Sequence, residues 1–143
     1  MSDFKKRQEL SWEGMFYSIQ RIDLLIVSIC SAGIYVILET VKFLVERNLN
    51  VSWCLKAAGI AFIAGIIINF LSQLCGYKAN EQDYLMCELE CNDKEVERDQ
   101  LQIDIYDKKA ALFSNLTNKL NYISMGLLTG GLIFLLTYFL ISY

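Results

Sequence analysis

Residues 122–143 read YISMGLLTGGLIFLLTYFLISY, 22 residues without one charged side chain. A helix needs about 20 mainly apolar residues to cross a hydrocarbon core of about 30 Å, so this stretch is long enough to span a bilayer by itself. Upstream, residues 57–74 (AAGIAFIAGIIINFLSQL) come close to the same standard. Residues 24–38 (LLIVSICSAGIYVIL) are shorter and become a span only by including Glu39 and Lys42. Three such runs in 143 residues leave too little polar surface to cover them. The composition agrees: 55% of residues are hydrophobic, 20% are charged and the mean hydropathy is +0.35, against about a quarter charged in an ordinary soluble domain. The expected fold class is therefore all-α, an integral membrane protein with three transmembrane helices and a cytosolic helical hairpin.

The expected boundaries make residues 1–143 one membrane domain. An interfacial amphipathic helix covers 10–22, span 1 covers 22–45, span 2 covers 54–76, a hairpin covers 77–121 and span 3 covers 122–143. Residues 10–22 carry Trp12, Met15, Phe16, Ile19 and Ile22 at helical spacing behind Lys5, Lys6 and Arg7. That pattern suits either an anionic membrane surface or packing on the rest of the protein. No signal-peptide cleavage pattern follows the first run, so it is expected to act as an uncleaved anchor.

Lys and Arg are heavier in the N-terminal flank (Lys5, Lys6, Arg7, Arg21) and in the 77–121 block (Lys78, Lys94, Arg98, Lys108, Lys109, Lys119) than between spans 1 and 2 (Lys42, Arg47, Lys56). The positive-inside rule then puts the N-terminus and the 77–121 block in the cytoplasm and the C-terminus outside, in a cell inner membrane.

The 77–121 block has ten acidic and six basic residues. An apolar stripe runs through Leu85, Leu89, Val96, Ile103, Tyr106 and Phe113, interrupted by Asn92, Asp99 and Thr117. The chain must reverse between spans 2 and 3. Cys91-Asn-Asp-Lys94 is the expected turn, because Asn92 or Asp93 can cap a new helix there. The stripe is read as an assembly surface, most simply for a second copy, with a soluble cytosolic protein as the other partner.

Several polar side chains fall at membrane depth: Asp23, Glu39, Lys42, Asn69 and Gln73. Ionisable groups there usually face a bundle interior or a water-filled path. The alternative makes Glu39 and Lys42 interface markers able to pair with each other, and the amides interhelical glue. Small residues at Gly126, Gly130 and Gly131, and at Ala57, Ala61 and Gly65, mark close helix packing within or between chains. No histidine is present, no glycine loop could cradle a phosphate, and the five cysteines lack metal-site spacing. Neither an enzyme nor a cofactor or metal is expected, and a net charge of −3 argues against nucleic-acid binding.

The layout over residues 10–121 and the polar exit of span 2, Asn69-Phe-Leu-Ser-Gln73 followed by Gly76-Tyr-Lys-Ala-Asn80, resemble small membrane effectors of bacterial anti-phage systems of the SLATT type. The third span is an addition to that two-span plan. The resemblance implies an oligomeric pore that damages the host membrane when a partner triggers it. The leading expectation is a homo-oligomeric channel or pore. A non-conducting scaffold whose hairpin docks a soluble partner and a holin-like lysis protein are the alternatives.

Overall fold

A computed structural model describes the backbone of residues 2–91 and 96–142 and the side chains of 20–85 and 102–142. Its described residues form three helices and no strand: α1 (Ser2–Glu46), α2 (Trp53–Cys91) and α3 (Val96–Ser142). Each contains a stretch long and apolar enough to cross a membrane: Gln20–Glu46, Trp53–Leu85 and Gln102–Ser142. These are candidate membrane spans of a multi-pass membrane protein. Only 22%, 28% and 17% of their most apolar windows is buried inside the protein. Most of the apolar surface therefore has no protein neighbour within one copy, as at Leu140 (83% exposed) and Ile141 (77% exposed). A water-soluble monomer rarely exposes so much.

No helix end separates residues 10–22 from span 1, since α1 runs unbroken from Ser2 to Glu46. The turn expected at residues 91–94 falls outside the described residues except for Cys91, the last residue of α2. With no proline in the chain, helix ends need another cause. At the end of α1 it is Asn48, with φ of 54°. The Leu49 N–H donates to the Leu44 carbonyl at 2.9 Å, and the Asn48 N–H donates to the Val45 carbonyl at 3.0 Å. This is a Schellman closure in which asparagine takes the left-handed position usually given to glycine. Six residues later α2 begins after Ser52, a preferred N-cap type, whose carbonyl accepts from the Lys56 N–H at 3.3 Å.

The chain packs as two compact units, Met1–Ile66 with Leu127–Tyr143, and Ile67–Gly126. In the first unit the core is apolar: Ile26, Cys30, Ile37 and Leu44 of α1, Leu55, Ala58 and Phe62 of α2, and Tyr138 of α3. On α2 the buried positions Leu55, Ala58, Phe62 and Gly65 alternate by three and four, the spacing of helices that pack side by side at a shallow angle. Phe62 is central. A Cβ on Gly33 would lie 2.5 Å from its ring, and one on Gly131 would lie 2.6 Å from it. The ring thus sits where α1 and α3 each offer bare backbone. Gly59 opposite Ile37, and Trp53 edge-to-face with Phe134 at 6.1 Å, set the remaining register. Residue numbers fall on α1 and α3 as they rise on α2, so both neighbours run antiparallel to α2.

The second unit pairs the rest of α2 with the first part of α3. On α2 Asn69, Ser72 and Ala79 are buried and Gly76 is half-buried, again at intervals of three and four. On α3 the half-buried positions are Ile103, Tyr106, Ala110, Phe113, Thr117 and Leu120. Thr117 belongs to this stripe rather than interrupting it. Gly76 faces it, and a Cβ there would meet the Thr117 methyl at 3.6 Å, an ordinary contact distance.

Candidate functional site

Polar groups within the candidate spans occur in two settings, one closed and one open. The closed setting is the second unit. Asn69, Ser72 and Ser124 are buried. The Ser72 hydroxyl lies 3.0 Å from the Thr117 carbonyl and 2.5 Å from Oδ1 of Asn121. It has one hydrogen, shared between two acceptors on α3. Nε2 of Gln73 donates to Oδ1 of Asn69 at 3.1 Å, and the Ser124 hydroxyl donates to the Asn121 carbonyl at 2.9 Å. Among the described residues no buried polar side-chain atom lacks a partner. Asn69 and Gln73 nevertheless part company: Asn69 is fully enclosed, whereas Gln73 is exposed beside it. The arrangement ties helices together and leaves no buried polar side-chain atom unmatched for a ligand.

The open setting is α1. Its buried stripe is Ile26, Cys30, Gly33, Ile37 and Leu44. A second set, Ser28, Ser31, Tyr35, Glu39, Lys42 and Glu46, is exposed throughout and spaced by three and four, with Ser28, Tyr35, Glu39 and Glu46 each two residues beyond a buried position. Two residues of α-helix rotate the direction by about 200°, so this polar stripe is on the face opposite the core. Exposed apolar residues flank it, including Leu25, Leu38 and Val45. Glu39 and Lys42 do not pair with each other, unlike Lys78 and Glu81 on α2, three residues apart and joined in a salt bridge. Asp23 is half-buried and engaged, outside the stripe.

The level of the charges follows from the register of the first unit. Ile37 sits opposite Gly59. Glu39 is two residues beyond Ile37, and Lys56 is three residues before Gly59, so they are level to within about one turn. Lys56 is where the uncharged run of α2 begins. Glu39, Lys42 and Glu46 therefore mark one boundary of the apolar zone, and Ser28, Ser31 and Tyr35 lead from them into it.

The hydroxyls of Thr40 and Thr137 face no neighbour's need: they donate to Val36 and Ile133 of their own helices, both at 2.8 Å. The small residues divide. Gly131 is buried against Phe62, but a Cβ at Gly126 or Gly130 would meet nothing within 4 Å. Gly65 is buried and Ala61 half-buried; the fully buried alanine of that ridge is Ala58. Of the apolar stripe, Leu85, Ile103, Tyr106 and Phe113 are half-buried within the chain, and the side chains of Leu89 and Val96 lie outside the described ones.

Sequence reasoning picked out Glu39 and Lys42 but not Ser28, Ser31, Tyr35 and Glu46, which complete their face. The signal was available as a polar residue every three or four positions inside an apolar run. Ser72 is legible within the polar exit of span 2, but its pairing with the Thr117 carbonyl and Asn121 is not, because one chain position does not reveal what it faces. Among the described residues no cluster of metal-ligating side chains is found. Compared with protein-family models, with curated proteins and with solved structures, the chain matches none of them.

Proposed function

We propose that this protein is a homo-oligomeric membrane channel whose water path runs along the polar face of α1. One observation carries the reading: Ser28, Ser31, Tyr35, Glu39, Lys42 and Glu46 share the face of α1 opposite its core, exposed in a single copy. A charged side chain facing lipid near the bilayer centre costs at least about 2.5 kcal/mol, less near the boundary. Copies that turn this face toward a common axis hydrate it and leave the apolar flanks to lipid. The excess of Lys and Arg at the N-terminus and in residues 77–121 supports a cytoplasmic N-terminus, a cytosolic α2–α3 hairpin and an external C-terminus in a cell inner membrane. The layout it shares with anti-phage membrane effectors supports a use in antiviral defence, as a pore opened in the host's own membrane.

Purified full-length protein in planar bilayers is expected to conduct, with Glu39→Ala and Lys42→Ala each changing the single-channel current. An intact oligomer that carries no current, or currents indifferent to both substitutions, would overturn the reading.

A second reading, a non-conducting scaffold that docks a soluble cytosolic protein, is favoured by one feature of α3. Leu112 and Leu116 are exposed between Lys108 and Lys119, on one face of α3 that also carries Ala111 and Asn115. Stoichiometric capture of a soluble protein, abolished by Leu112→Asp and accompanied by no ion flux, would establish it.

A further inference from the structure

Resting on the channel reading, we infer that the path selects cations, through an excess of one carboxylate per copy at the end that carries Glu39, Lys42 and Glu46. Copies inserted in one membrane with the same topology run parallel. Equivalent residues then form rings at equal depth. Glu39, Lys42 and Glu46 make three such rings, about 4.5 Å and 6 Å apart along the helix.

Lys42 stands between the two carboxylate rings, and its flexible stem reaches either one on a neighbouring copy. One ammonium compensates one carboxylate. The second is left over in every copy, so the charge at the mouth grows more negative with each subunit added.

The nearest other cations do not cancel it. Arg47 follows on the helix, but its guanidinium carbon lies 4.5 Å above the centre of the Phe43 ring, off the stripe. Lys56 is level with Glu39 but belongs to α2, which packs against the opposite face of α1. Rings of acidic side chains concentrate cations and repel anions at a pore mouth. The chemistry is that of small inorganic cations attracted by charge, without a dehydrating binding site.

The test uses the full-length protein in planar bilayers under a KCl gradient. The wild-type reversal potential is expected to lie on the potassium side. Glu39→Gln with Glu46→Gln should lower the potassium-to-chloride permeability ratio by on the order of fivefold. Lys42→Gln should raise the ratio. All three residues are exposed in the single copy, and the glutamines keep the carboxylates' shape; an unchanged particle size in detergent confirms assembly of each variant. A chloride-selective wild type would overturn the inference and leave the channel standing. So would conducting variants whose reversal potentials do not move. Absence of current from the assembled wild type would remove the channel and the selectivity together.

Discussion

Around Phe62 the helices meet through an aromatic ring set against glycine on either side, whereas around Ser72 they meet through hydroxyl and amide groups. The spacing on α2 is the same in both regions, alternately three and four residues. Between helices that cross a bilayer, lipid would supply no hydrophobic drive. Two ways remain to hold them together. One is close packing, which needs a large knob and a flat surface to receive it. The other is hydrogen bonding, which needs every buried polar group matched. The first unit uses the former and the second unit the latter. The packed region should therefore tolerate change of shape poorly, and the polar region should tolerate loss of a single bond better.

The largest effect is expected from Phe62→Ala. It removes the ring from between two helix backbones that cannot close the gap without moving, at a cost of about 3 kcal/mol. Unfolding of the detergent-solubilised protein, followed by circular dichroism, measures it. A loss below that from any hydrogen-bond deletion in the second unit would reverse the comparison.

Gly33→Ala and Gly131→Ala come next, at roughly 1–3 kcal/mol each. The added methyl meets the ring rather than the end of a flexible chain. Phe62→Leu in the Gly131→Ala background should recover part of the loss. Failure of that rescue would mean that the ring is not what the methyl meets.

Ser72→Ala and Asn121→Ala should each cost about 1 kcal/mol. The double variant should cost little more than Ser72→Ala alone, because that change already deletes the bond to Asn121 together with the contact to the Thr117 carbonyl. Additive losses would show that the two side chains act through separate partners.

Gly130→Ala should change the unfolding free energy least, by roughly 0.5 kcal/mol in either direction. It adjoins Gly131 in sequence but points about 100° away, into space that is open within one copy. A loss as large as that of Gly131→Ala would mean that this surface is occupied too.

The three long helices were legible as apolar runs, and in α3 the run 122–143 announced itself by the absence of charge. The end of α1 was less so. It depends on Asn48 adopting a left-handed backbone, a choice available to asparagine but not obligatory for it. Glu39 and Lys42 were recognisable as misplaced in an apolar helix, and their spacing allowed a mutual ion pair. In the structure they remain separate on an exposed face. The amides show the limit most plainly. Asn69 and Gln73 are four apart and chemically alike, yet one is enclosed and one exposed, because α3 covers one side of α2 only.

Composition and periodicity alone suffice for three long helices, for their apolar surfaces and for the small residues that allow close approach, since each depends on local residue type and spacing. Which glycine receives Phe62, which polar groups are matched across α2 and α3, and which face of α1 is left open were decided by packing. Those properties depend on rotation and register between helices, and a helix turning by 100° per residue presents every side chain to some direction without specifying which direction holds a neighbour.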